Sequence, residues 1–177
     1  MKMQAKQLAT DAMLAAMCAV LGYLALDTGN LKVTFETLPI LLGALLFGPL
    51  DGAVIGFVGT GIYQLLRYGV SVTTLLWMLP YAFCGFLAGH YAKKHDFALS
   101  GKQMAFIVIA NELLITLLNT GVIYLDSKIY AYWFPGFVSA TLIVRLVIAA
   151  AKAMAFSAVL PVLLRAVKKA IGMKGGE

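Results

Sequence analysis

The sequence predicts an all-α integral membrane protein, a six-helix bundle whose second and third helices are short. Three observations carry that reading. Of the 177 residues, 62% are hydrophobic and only 12% charged, about half the charged share of an ordinary soluble domain, which is too little to coat a water-soluble fold of this size. The apolar residues run in stretches long enough to cross a hydrocarbon core of about 30 Å, which takes roughly 20 helical residues. The basic residues behind the net charge of +6 gather at the ends of those stretches, where they read as topology signals rather than nucleic-acid contacts.

Four runs are long enough to span: 8–26, 74–92, 104–125 and 137–164. The first follows a basic start, as a secretory signal would, but it continues without a small-residue cleavage site and is read as a membrane helix. Between the first two lies the apolar stretch 38–66, broken by Phe47-Gly48-Pro49-Leu50-Asp51-Gly52. Pro49 lacks a backbone donor and the glycines accept unusual dihedrals, so this segment predicts a tight turn between two short helices, 38–47 and 53–66. A re-entrant hairpin is the other geometry open to it. No repeat or linker divides the chain, and 1–177 reads as a single transmembrane domain.

Six spans put both termini on one side. Lys2, Lys6, Lys93, Lys94, Lys102, Arg165, Lys168, Lys169 and Lys174 lie on that side, against Lys32, Arg67 and Lys128 opposite. The positive-inside rule makes the termini cytoplasmic and the loops 27–37, 67–73 and 126–136 outward.

Charged residues inside spans cost at least ~2.5 kcal/mol each on insertion scales, so those kept are candidates for function. Arg145 and Lys152, seven apart in the last span, share a helix face two turns apart. The Arg145 guanidinium suits bidentate capture of a carboxylate, whereas Lys152 lies deeper, within reach of Glu112. Mutual pairing or snorkelling is the plain alternative. Asn119 offers a donor and an acceptor near the outer end of the fifth span; an interhelical hydrogen bond explains it nearly as well. Asp11 reads as a helix-start carboxylate.

Phe35, Glu36, Tyr63, Arg67, Trp77, Tyr81, Tyr130, Tyr132, Trp133 and Phe134 populate the outward half. An interfacial belt accounts for Tyr130 and Tyr132. Trp77 and Tyr81, flanking Pro80, instead suit a cavity wall. Small residues recur at four-residue spacing (Ala12/Ala16, Ala15/Ala19, Gly52/Gly56, Gly85/Gly89), a pattern that lets helices approach closely. The sequence has no phosphate-binding loop, no metal-ligand spacing and no nucleophile with an evident partner, so neither a metal nor a cofactor is expected and an enzyme is disfavoured.

The alanine-rich first span, the segment Leu31-Lys32-Val33-Thr34-Phe35-Glu36-Thr37-Leu38-Pro39-Ile40 and the turn at 47–52 resemble the substrate-binding S components of energy-coupling factor (ECF) transporters. The resemblance implies a vitamin-capturing subunit without catalysis of its own. It implies a ligand held near the outer face, which carries Phe35, Trp77, Asn119, Trp133 and Arg145 over as ligand residues. Ala12, Ala16 and Ala19 become contacts to a shared membrane coupling subunit driven by two cytoplasmic ATPases. Phe134-Pro135-Gly136-Phe137 resembles a run of folate-type members, there in the fourth helix and here before the sixth. A buried Arg and Lys suit an anionic vitamin of the folate or pantothenate type. The rival reading is a self-sufficient proton-coupled transporter with Glu112 as its proton site.

Overall fold

A computed structural model describes residues 2–27, 32–132 and 136–172. Six α-helices account for most of it: α1 (Lys2–Tyr23), α2 (Thr37–Phe47), α3 (Pro49–Tyr68), α4 (Thr74–Lys94), α5 (Gly101–Ile129) and α6 (Phe137–Ile171). In the α1–α2 loop, β1 (Leu26–Asp27) pairs antiparallel with β2 (Lys32–Val33), Leu26 opposite Val33.

The expected break at 47–52 contracts to one residue. Gly48 takes φ 118°, a conformation that favours glycine, and Pro49 opens α3 at its first turn, where a missing N–H costs nothing. Asp51 then lies in the first turn of α3, favoured by the helix dipole. The third helix therefore absorbs residues assigned to the turn and reaches 20 residues, about 30 Å at 1.5 Å per residue. The second stays short at 11 residues, nine of them buried. With apolar residues all round, α2 is a core helix packed among α1, α3, α4 and α6.

Glycines set the spacing around it. A Cβ on Gly52 would stand 2.5 Å from the Gly85 carbonyl oxygen, and one on Gly85 would stand 2.2 Å from that of Gly52. Two backbones meet there with no room for a side chain, as the spacings Gly52/Gly56 and Gly85/Gly89 anticipate. The buried positions of α4, among them Met78, Tyr81, Gly85, Ala88 and Ala92, recur every three or four residues and face this seam.

The helices α5 and α6 are longer, at 29 and 35 residues. Ser100 caps α5 through a capping box: its Oγ accepts from the Gln103 amide, and the Gln103 side chain accepts from the Ser100 amide. Among the described residues, Gly101–Ile129 and Leu142–Ile171 are long and apolar enough to cross a membrane, and α1, α3 and α4 match the length of a span at 22, 20 and 21 residues. Large apolar side chains point outward along the bundle, including Leu8 at 71%, Ile143 at 72% and Met154 at 70% exposed. So many exposed apolar side chains suit a lipid surface. The Lys6 Nζ donates to the Ile171 carbonyl at 3.2 Å, which brings the start of α1 to the end of α6 and gives the bundle a terminal end.

Gly85→Val should lower the thermal midpoint in detergent, a loss of about 1–3 kcal/mol or more from overpacking. Gly121→Ala, in α5 with nothing within 4 Å of the added Cβ, should leave the midpoint unchanged or raise it, since alanine is the better helix former by about 1 kcal/mol. Equal responses would show that the α3–α4 seam tolerates a side chain.

Candidate functional site

Two polar clusters occupy the bundle interior, joined through the start of α2. In the deeper one, Glu112 of α5 is fully buried and pairs with Lys152 of α6, Nζ to Oε2 at 2.9 Å. The Thr37 hydroxyl donates to Glu112 Oε1 at 2.5 Å, and the Lys152 ammonium also lies 5.7 Å from the centroid of the Phe156 ring. The reach from Lys152 to Glu112 is thus realised. Removing one partner of such a pair leaves the other charge buried and uncompensated.

Toward the end away from the termini, Glu36, just before α2, is 1% exposed and accepts from Thr34 Oγ1 at 2.9 Å. The Tyr81 hydroxyl lies beside the Glu36 carboxylate and accepts a hydrogen bond from Asn119 Nδ2 at 3.2 Å. A Cβ on Gly22 would stand 2.6 Å from Glu36 Oε2 and 2.9 Å from the Tyr63 ring, so a glycine in α1 admits both side chains. The half-buried Arg145 donates to Thr120 Oγ1 at 3.0 Å. Among the described residues it has no carboxylate partner. Asn119 Oδ1 is likewise buried without a hydrogen-bond partner among them.

The sequence candidates divide on this geometry. Asn119 and Arg145 lie beside Tyr81 in one cluster. Trp77 is half-buried nearby and donates from Nε1 to Asp126 Oδ1 at 3.4 Å, while Asp126 Oδ2 accepts from the Tyr132 hydroxyl. That phenol is pushed above its ordinary pKa by desolvation first and by Asp126 second. Phe35 lies closer to the deeper cluster, its ring centroid 6.3 Å from that of Phe156. Trp133 falls outside the described residues.

On α1, Ala12 and Ala16 are exposed, and Ala5 and Ala9 extend the same small-residue stripe. Ala19 is 5% exposed and does not join that surface; it precedes Gly22 by one turn, where Glu36 and Tyr63 crowd the helix. Asp11 lies in the third turn of α1 rather than at its start, facing Asp51 of α3, which accepts from Gln7 Nε2 at 2.6 Å. Glu36 and Tyr81, placed by sequence among outward loop and cavity residues, form the centre of the upper cluster. Their burial depends on which helices meet, which helical periodicity alone does not supply.

A cavity of about 730 Å³ lies elsewhere, at the terminal end, between α1, the last turn of α2, the α4–α5 turn and α6. No group of three or more His, Cys, Asp or Glu side chains able to hold a metal occurs among the described residues.

Fold and site together define a membrane protein in which apolar helices enclose a charged and hydrogen-bonding interior. The family described as "ECF transporter, substrate-specific component" matches residues 6–171, nearly the whole chain, and the protein belongs to that family. The family is that of substrate-binding components of transporters, not of enzymes; its members associate with a membrane coupling subunit and ATPases. No curated protein matches the chain.

Lys152→Met should destabilise the protein by about 3–5 kcal/mol by stranding Glu112, and Glu112→Gln combined with Lys152→Met should recover most of that loss. Thermal unfolding of the single and double variants in detergent measures the coupling. Additive losses would show that the two residues are not coupled.

Proposed function

We propose that the protein is the substrate-binding subunit of an ECF-type transporter for a water-soluble anionic vitamin of the folate or pantothenate type, with the ligand seated at the upper cluster. Arg145 is the observation that carries this reading. A guanidinium within the span is costly to keep, and this one meets only a neutral hydroxyl among the described residues. A ligand carboxylate would neutralise it in bidentate fashion, and the unpartnered Asn119 Oδ1 offers an acceptor beside it. Tyr81 orients Asn119, Trp77 supplies an aromatic wall, and the remaining ligand residues of this reading are Phe35, which would reach the ligand from the side of the deeper cluster, and Trp133.

On this reading residues 1–177 act as one transmembrane domain without catalytic activity, metal, cofactor or nucleic-acid partner. The termini face the cytoplasm of a multi-pass cell-membrane protein, by the excess of Lys and Arg at the terminal end. The exposed alanines Ala12 and Ala16 contact the shared coupling subunit, which works with two cytoplasmic ATPases. Glu112 is engaged by Lys152 and Thr37, which disfavours it as a freely exchanging proton site and supports uptake energised by separate ATPases.

Mass spectrometry of small molecules released from the purified protein should identify the vitamin, and its addition should change Trp77 emission saturably. Arg145→Ala should then raise the Kd by about 30-fold, roughly 2 kcal/mol. Unchanged affinity in a folded variant removes Arg145 from the site.

Ala16→Leu should abolish uptake in cells carrying the complete transporter while leaving vitamin affinity intact, because it thickens an exposed face remote from the ligand. Normal uptake, or equal loss of binding and transport, speaks against that interface.

A further inference from the structure

We propose that the 730 Å³ cavity at the terminal end binds one anionic glycerophospholipid, its phosphate at a basic rim and an acyl chain along an apolar wall. The rim comes from two helices: Lys6 of α1, and Arg165 and Lys168 of α6. Each cation keeps donors to spare. Among the described residues the Lys6 ammonium donates one bond, to the Ile171 carbonyl, and the Arg165 guanidinium uses only Nε, on the Pro161 carbonyl at 3.3 Å. The Lys168 ammonium makes no hydrogen bond or ion pair among the described residues. Among the described residues Asp96 is the one carboxylate on the lining, against three cations, so the rim they form carries an excess of positive charge.

The wall has the opposite character. Phe47 from the end of α2, Met104 from α5 and Phe97 and Leu99 from the α4–α5 turn present hydrocarbon to the cavity, backed by the buried Leu45, Leu46 and Leu164. Phe97 is set there by an unusual turn: Asp96 and Phe97 take φ 51° and 58° in succession, conformations that non-glycine residues rarely adopt. The Phe97 ring then lies against Gly48, 3.6 Å from where a Cβ would stand.

Position decides between lipid and soluble anion. The cavity lies at the end where Lys93 and Lys94 close α4, Lys102 opens α5 and Lys168 and Lys169 close α6, a cationic ring that marks interface height in a membrane helix bundle. Lipid phosphates occupy that height, and basic pockets between membrane helices bind anionic headgroups. A free phosphate would satisfy the rim and leave the hydrocarbon wall uncovered. The upper ligand cluster takes no part in this site.

Native mass spectrometry of the full chain in mild detergent, with phosphatidylglycerol and phosphatidylcholine of identical acyl chains, tests the assignment. The protein should retain one phosphatidylglycerol, in about tenfold preference over phosphatidylcholine. Arg165→Gln with Lys168→Gln should erase the preference, while Lys93→Gln with Lys94→Gln, the same charge change outside the cavity, should preserve it. Ala98→Trp, which narrows the cavity with the rim intact, should reduce retention. Lack of preference, equal loss in both double variants, or complete displacement of the lipid by inorganic phosphate would overturn the proposal.

Discussion

The bundle depends on the contact between α3 and α4 at Gly52 and Gly85, where each glycine stands against the other's backbone with no space for a Cβ. In lipid, hydrocarbon burial drives helix association weakly, because the solvent is as apolar as the side chains; close packing of small residues has to supply much of the adhesion. This seam draws α4 inward. Tyr81, four residues before Gly85, then reaches the bundle interior, and a Cβ on Gly56 one turn further along α3 would stand 2.5 Å from the Tyr81 carbonyl oxygen. The placement of the Tyr81 hydroxyl between Asn119 and Glu36 is a consequence of a contact made by backbones.

The same packing explains the short second helix. Eleven residues, about 16 Å of helix, do not cross a bilayer, yet α2 leaves no end exposed to lipid, because α1, α3, α4 and α6 surround it. At its start the Leu38 amide donates to the Phe35 carbonyl at 3.2 Å, Pro39 has no amide hydrogen, and the Glu36 and Thr37 side chains join the two interior clusters. Non-helical backbone at membrane depth is tolerated where protein or an internal cavity covers it, and the turn into α2 meets that condition.

Helix identity was readable from composition and glycine spacing because both express local requirements: enough apolar residues to span, and small residues wherever backbones touch. The capping box at Ser100 and Gln103, which the span boundary at 104 left out, explains why α5 begins at Gly101. The start of α3 was misplaced because Pro49 and Asp51 were weighed as turn residues, although both are favoured in a first helical turn. The pairing of Lys152 with Glu112 followed from the cost of leaving either charge alone. Ala19 shows the limit of periodicity: it lies on the part of α1 that packs closely, with Ala15 and Cys18 against Gly59 of α3 and Gly22 against Glu36 and Tyr63, and is buried there.

The two cations of α6 divide the labour expected of charge in a membrane interior. Lys152 is compensated internally by a carboxylate, a hydroxyl held on that carboxylate and an aromatic face, so it stabilises the assembled bundle and has little left to offer a ligand. Arg145, two turns away on the same helix, has a neutral partner and is half-exposed. On the proposed reading Lys152 is neutralised from within and Arg145 by a bound anion, which would leave the bundle stable without ligand and selective for an anion. Exchanging the two residues would defeat both roles, because a lysine ammonium at 145 loses the planar fork that matches a carboxylate, and a guanidinium at 152 must fit where a compact ammonium already satisfies Glu112.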